Sequence, residues 1–217
     1  MTPKAVIFDL DGTLVDSLED LADSMNSILS GFGYPTHQKD AYRYFVGRGI
    51  KNLVKSALPA SASDEEIIMK CYSAMMDSYA KNCINKTAPY NGVIKLLDSL
   101  KERGVKMAVF SNKAHPFTEQ IVNDMFPGYF GQVEGLQIDE LRKPNPSVAL
   151  RIAEVFGVVP QETIYIGDTD TDMFTAVNAG MIPVGALWGF RKADELKQAG
   201  AQYMISYPEE LLQLFFV

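Results

Sequence analysis

Short apolar runs punctuate this chain, and most of them end in a knot of polar residues. The runs fall at residues 5–8, 105–110, 132–136, 163–166, 182–187 and 203–205. Each has the length of a strand rather than of a buried helix. From Val105 onward, segments of helical periodicity lie between them. Asn91 is placed to cap a helix carrying Val93, Leu96, Leu97 and Leu100, with Gly104 after it. Asn145 and Pro146 open another, with Val148, Ala149, Ile152, Ala153 and Phe156 on one face and Gly157 at its end. Strand–helix alternation predicts an α/β fold: a doubly wound, Rossmann-like parallel sheet with helices on both faces.

Residues 16–87 interrupt the alternation. Ser17 with Asp20 reads as a capping box ahead of Leu18, Leu21, Ala22, Met25, Ile28 and Leu29 at helical spacing. Ser63 with Glu66 reads as a second, ahead of Ile67, Ile68, Cys71, Tyr72, Met75, Met76 and Tyr79. No strand is expected in this stretch. The division predicted is a core of residues 1–15 and 88–217 and an inserted all-α unit of residues 16–87. The chain then crosses between them near Asp16 and Ser17 and again near Ala88 and Pro89.

Charge narrows the function classes. With 20 Lys and Arg against 27 Asp and Glu, the net charge is −7, and the basic residues form no run. That argues against a nucleic-acid partner. No apolar run reaches the ~18 residues of a membrane span, and Asp9 cuts the first run too early for a signal-peptide core. Cys71 and Cys83 read as reduced packing residues, as in a cytoplasmic protein. A monomer or a homodimer is equally compatible. The apolar tail, residues 211–217, reads either as the end of a core helix or as a contact surface.

Four polar clusters carry the chemistry. In Asp9-Leu10-Asp11-Gly12-Thr13, extended chain points residues 9 and 11 to one side, and Gly12 permits a sharp turn. Two close carboxylates call for a cation, and an oxygen-only site suits Mg²⁺. Ser111-Asn112-Lys113 offers a hydroxyl donor and a point charge to a phosphoryl group. In Lys143-Pro144-Asn145-Pro146, the prolines hold a lysine in place. Gly167-Asp168-Thr169-Asp170-Thr171-Asp172 is a second anionic concentration. In open α/β sheets ligands bind at the carboxyl ends of the strands, where all four clusters fall. Metal-assisted phosphoryl transfer, with a carboxylate as nucleophile, fits them together. No Walker A, GxGxxG, HExxH or GxSxG sequence competes. Of the two histidines, His37 reads as a surface loop residue, and His115 as a polar helix start with a substrate contact as the alternative.

The segments DLDGTLVDS at 9–17, SNK at 111–113, KPNP at 143–146 and GDTDTD at 167–172 resemble, in order, the four motifs of the haloacid dehalogenase superfamily. The resemblance spans essentially the whole chain, and the helical insert looks like that family's cap. It implies Asp9 as nucleophile, and Asp11 as general acid and then base. Ser111 and Lys143 would orient the phosphoryl group. Asp9, Asp168 and the Asp11 carbonyl would hold Mg²⁺, with Asp172 as a ligand or beside one. An Asp at 11 implies phosphate chemistry rather than dehalogenation. FVGRG at 45–49, SNKAHPF at 111–117 and WGF at 188–190 are most similar to phosphoglycolate phosphatases. On that likeness Gly47 and Arg48 belong to a substrate loop, and Thr13, Asn112 and Lys113 join them around a small phosphorylated metabolite. Arg191 would border the site, and Trp188 would border it or, more in keeping with its type, serve in packing. Phosphomutase, pyrophosphatase and nucleotidase activities on the same scaffold are the alternatives, with a non-catalytic binding protein behind them.

Overall fold

The computed structural model describes residues 2–215. The chain begins with β1 (Ala5–Phe8) and β2 (Val15–Asp16), then runs through four helices: α1 (Leu18–Gly31), α2 (Tyr42–Phe45), α3 (Ile50–Ala57) and α4 (Glu65–Asn82). It returns through β3 (Ala88–Pro89), α5 (Val93–Glu102), β4 (Lys106–Ala114), α6 (His115–Met125) and β5 (Gln132–Leu136). The remainder is α7 (Ser147–Phe156), β6 (Thr163–Gly167), α8 (Asp170–Asn178), β7 (Ile182–Ala186), α9 (Ala193–Gln198) and β8 (Tyr203–Ile205).

Six strands form one parallel sheet in the order β5-β4-β1-β6-β7-β8. Side chains alternate across it. Val6, Phe8, Met107, Val109, Ile164 and Ile166 pack with Leu96, Leu97 and Leu100 of α5 and Ile121 and Val122 of α6. Ala5, Ile7, Ala108, Phe110 and Tyr165 point the other way, onto Val148 and Ile152 of α7 and Ala176 of α8. Both faces are dry, which is why these strands read as unbroken apolar runs. The doubly wound α/β architecture is as expected. β1 sits at the centre, between β4 and β6, so its carboxyl end faces the point where the strand order reverses.

The helices α1–α4 enclose a separate apolar cluster that includes Leu21, Met25, Leu53, Cys71, Met75 and Tyr79. Phe117 and Phe190, from the sheet's own helices and loops, complete it. Both cysteines are free and buried. Where the chain crosses, β2 and β3 pair antiparallel, with Val15 opposite Pro89 and Asp16 opposite Ala88. A strand residue at Asp16 was not expected. It forms because two chain segments must pass side by side at the junction.

Several caps differ from the sequence reading. Ser17 makes no cap bond; its hydroxyl turns to Asp11, and Asp16 accepts from the Leu18 N–H instead. Asp20 accepts from the Lys86 and Thr87 amides and the Thr87 hydroxyl, pinning the return crossing. At α4 the cap is Asp64, accepting from Ile67 N, while Ser63 donates to the Ala60 carbonyl. At α5 the cap position is Gly92, in a left-handed conformation that Asn91 would adopt less readily. Asn145 stands one residue before the α7 cap position, Pro146, and its Oδ1 accepts from Ser147 N and Oγ. His37 is half-buried rather than a loose loop residue. Its Nε2 lies 2.8 Å from the Ala57 carbonyl oxygen, and its main chain exchanges two hydrogen bonds with Asn26. The tail packs on the core: Leu211 is fully buried, with Leu212, Leu214 and Phe215 against the same cluster. Residues 216 and 217 lie outside the described residues.

Candidate active site

β1 delivers Asp9 to the carboxyl edge of the sheet, and the chain turns at once. Leu14 N bonds back to Leu10 O at 2.9 Å, and Gly12 takes a φ of 89°. A side chain at Gly12 is excluded twice over. The backbone angle strains any L-residue, and a Cβ would stand 2.3 Å from Asp168 Oδ2. Gly189 is equally tight, its would-be Cβ falling 2.2 Å from Asp168 Cβ.

Asp168 follows β6 and is fully buried. Thr13 Oγ1 donates to its Oδ1 at 3.2 Å and the Phe190 amide to its Oδ2 at 2.7 Å. Asp172, one turn into α8, accepts from Thr169 N and Oγ1 through one oxygen and from Lys143 through the other, at 2.6 Å. Lys143 also reaches Asp9 Oδ1 at 2.8 Å. Asp9, Asp168 and Asp172 bring oxygens within 4.8 Å of one another. Burial, then the charge of Asp172, raises the Asp9 carboxyl to about 7, although Lys143 pulls it down. Burial, with Asp172 and Asp9, likewise raises Asp168 well above its usual range. Burial disfavours the Lys143 ammonium, but Asp172 and Asp9 outweigh that and hold it charged.

The second cluster follows an apolar run that ends at residue 110. The strand β4 continues past that end, through Ser111-Asn112-Lys113 to Ala114, with an irregularity in its pairing to β5. Between Phe110, opposite Glu134, and Ala114, opposite Leu136, four steps of β4 match two of β5. Such a bulge re-aims side chains beside a site. All three polar residues are buried. Asn112 accepts from Lys143 N at 2.8 Å and donates to the Gly47 carbonyl at 3.0 Å. Lys113 bonds to both oxygens of Asp11, at 2.8 and 3.0 Å. Its charge is therefore engaged by Asp11. Ser17 Oγ donates to Asp11 Oδ1 at 2.5 Å.

A narrow cleft, about 380 Å³ of empty space with open solvent included, lies between the sheet edge and the helical insert. Asp9, Asp11, Ser111, Asn112 and Lys113 line its floor, and Leu21, Val46, Gly47, Ile50 and Leu53 its roof. Arg48 does not line it; it is largely exposed and pairs with Asp170 at 2.9 Å. Arg191 is buried and donates to the Arg43 and Val46 carbonyls, holding the Gly47 loop from the sheet side. Trp188 Nε1 donates to Thr13 O at 3.0 Å and so braces the first turn. His115 is tied away from the cavity, its Nδ1 accepting from Gly135 N at 3.1 Å.

The match to known families agrees with this geometry. The model of the haloacid dehalogenase-like hydrolases matches residues 6–186. The chain belongs to the haloacid dehalogenase-like hydrolases. A phosphoglycolate phosphatase of Aquifex aeolicus is 30% identical over 212 residues, covering 97% of this chain and 96% of that protein. One from Pseudomonas putida is 34% identical over 193 residues, covering 87% of this chain and 71% of that protein. A crystal structure from Lactobacillus delbrueckii subsp. bulgaricus superposes with a TM-score of 0.92 at 29% identity, covering 99% of both chains.

Some residues that shape this haloacid dehalogenase-like site carry no assigned chemical role in the sequence reading, although Ser17 and Phe190 lie within the segments DLDGTLVDS and WGF. Ser17 was read as a cap, and Phe190 contributes only its amide. Tyr79 sits in an apolar helical stripe, yet its hydroxyl accepts from Lys113 Nζ at 2.8 Å.

Proposed function

We propose that this hydrolase is a Mg²⁺-dependent phosphatase of small phosphomonoesters that works through an aspartyl phosphate. The supporting observation is that Asp9, Asp11 and Ser111 open into one cavity while Lys143 holds Asp9 at 2.8 Å. Three buried carboxylates against one ammonium form an oxygen-only, net-negative donor set that fits Mg²⁺. Asp9, Asp168 and Asp172 would hold the ion, with the Asp11 main-chain carbonyl beside them. When bound, it supplies charge neutralisation for the phosphoryl oxygens and for Asp9.

The chain's own groups then divide the work. A carboxylate oxygen of Asp9 attacks phosphorus, and the bond to the leaving oxygen breaks with its electron pair staying on that oxygen. Asp11 donates the proton that makes it an alcohol. Asp11 then takes a proton from water as the water attacks phosphorus, and Asp9 leaves as a free carboxylate. Ser111 Oγ and Lys143 Nζ hold the phosphoryl oxygens, and Thr13 keeps Asp168 in place. The apolar roof of Leu21, Val46, Ile50 and Leu53 limits water at the reacting centre. Gly47 and Arg48 form the insert's substrate loop. 2-Phosphoglycolate leads the substrate list, because the relatives named above are phosphoglycolate phosphatases.

Phosphate release from 2-phosphoglycolate, β-glucose 1-phosphate, nucleoside monophosphates and pyrophosphate tests the reading. Release that requires Mg²⁺, stops with EDTA and is lost in Asp9→Asn is expected. No release from any of them by a folded, metal-loaded protein overturns it.

A further inference from the structure

The ammonium of Lys113 is buried and makes three short polar contacts. Two go to Asp11, at 2.8 Å to Oδ1 and 3.0 Å to Oδ2. The third goes to the hydroxyl of Tyr79, at 2.8 Å. A lysine has three N–H donors, so all three are committed and the head group cannot turn. Two of these residues belong to the sheet edge, Asp11 after β1 and Lys113 on β4. Tyr79 comes from α4, in the helical insert, where it is fully buried. Its ring packs edge-on against Phe117 of α6 at 5.4 Å between centroids. The ammonium also lies 4.7 Å from that ring's centre. Burial keeps the phenol protonated at any ordinary pH.

We propose that Tyr79 is a positioning residue for proton transfer, its hydroxyl fixing Lys113 so that Asp11 is aimed only when the helical insert lies on the sheet. This rests on reading Asp11 as the group that protonates the leaving oxygen. With the insert lifted, Lys113 loses one of its three partners and is free to rotate, and the carboxyl it holds loses its fixed direction. Ser17 adds a second tie, because the first residue before α1 also donates to Asp11. One contact from the start of the insert, made directly by Ser17, and one from its far end, made by Tyr79 through Lys113, therefore bear on one carboxyl group. In the step concerned, the P–O bond breaks, its electron pair goes to the leaving oxygen, and Asp11 supplies the proton.

Leaving-group dependence tests this, because an alkoxide must be protonated as it departs and p-nitrophenoxide need not be. kcat/KM reports only the steps up to departure, so dephosphorylation of Asp9 does not enter. In the Mg²⁺-loaded full chain, Tyr79→Phe is expected to lower kcat/KM for 2-phosphoglycolate or ethyl phosphate about tenfold. For p-nitrophenyl phosphate the loss is expected to stay under about threefold, with KM little changed for either. Phe117→Leu loosens the same packing but keeps the hydroxyl, and is expected to affect both esters alike. In a Lys113→Met background, Tyr79→Phe is expected to change the alkyl-to-aryl ratio no further. Equal loss on both esters in Tyr79→Phe overturns the proposal, as does an undiminished alkyl rate or multiplicative loss with Lys113→Met. A wild-type protein that hydrolyses neither ester overturns the phosphatase reading itself.

Discussion

Gly12 and Asp168 are packed so closely that one methyl group between them has no room. The Cβ of an alanine at 12 would stand 2.3 Å from a carboxylate oxygen of Asp168, and the backbone there already has φ of 89°. Gly12→Ala is therefore expected to displace Asp168 and to cost about 1–2 kcal/mol in backbone strain alone. Titration calorimetry with Mg²⁺ or Mn²⁺ checks it. Wild-type affinity with a wild-type melting temperature would show that Asp168 is not held in place by this turn.

Among the described residues, Lys143 is the one ammonium shared by Asp9 and Asp172. Removing one partner of a buried ion pair costs about 3–5 kcal/mol. Lys143→Met is expected to lower the melting temperature of the metal-free protein sharply, and Mg²⁺ is expected to recover part of the loss. Phosphate release is expected to fall by at least about a hundredfold, because the lysine also stabilises charge on the phosphoryl oxygens. A variant that melts like wild type without metal contradicts the charge balance drawn here.

The metal-free protein has a defined pH response. Asp9 is raised from 3.8 to about 7 by burial and by Asp172, so the folded state keeps a proton that the unfolded chain has released. A raised carboxyl contributes stability at low pH and loses it as pH rises through the window from 3.8 to about 7. Metal binding needs the ionised form, so the thermal shift on adding Mg²⁺ is expected to be larger at about pH 8 than at about pH 6. Differential scanning fluorimetry at the two pH values decides. Equal shifts would mean that Asp9 is already ionised in the folded, metal-free protein.

Two arginines near the Gly47 loop differ in what they hold. Arg48 is 62% exposed and pairs with Asp170, an arrangement worth about 0–1 kcal/mol. Arg191 is buried against the Arg43 and Val46 carbonyls, and leaving such groups unpaired costs about 1–3 kcal/mol each. Arg191→Ala is expected to lower stability and raise KM together. Arg48→Ala is expected to leave the melting temperature nearly unchanged. A large KM increase in Arg48→Ala alone would show that this side chain leaves Asp170 for the substrate.

The strands and the four polar clusters were legible because both depend on local pattern. A buried parallel strand is a run of apolar residues, and its polar end stands out against it. What the sequence could not convey was which polar group each side chain would find. Ser17 has the right position for a cap, but its hydroxyl is turned to donate to Asp11 across the junction and accepts from no helix amide. Ser111-Asn112-Lys113 has loop composition, yet the strand runs through it, because β5 pairs again at Leu136 and Asn112 and Lys113 find polar partners in the fold. Tyr79 is placed on a buried helix face by periodicity, but its meeting with Lys113 spans the junction between insert and sheet. The β2–β3 pairing at the junction has no local signature in the sequence.

That pairing makes the chain's departure at Asp16 and its return at Ala88 direct neighbours. In topological terms, everything between them decorates what would otherwise be an ordinary hairpin. A two-residue turn joining Val15–Asp16 to Ala88–Pro89 would restore that hairpin without moving a strand of the main sheet. The bare result would expose Phe117 and Phe190, the two aromatic rings on which the decoration rests. A scaffold joined this way is modular: one roof can be exchanged for another by grafting at two adjacent positions, while the strand order and the acidic edge beneath stay as they are.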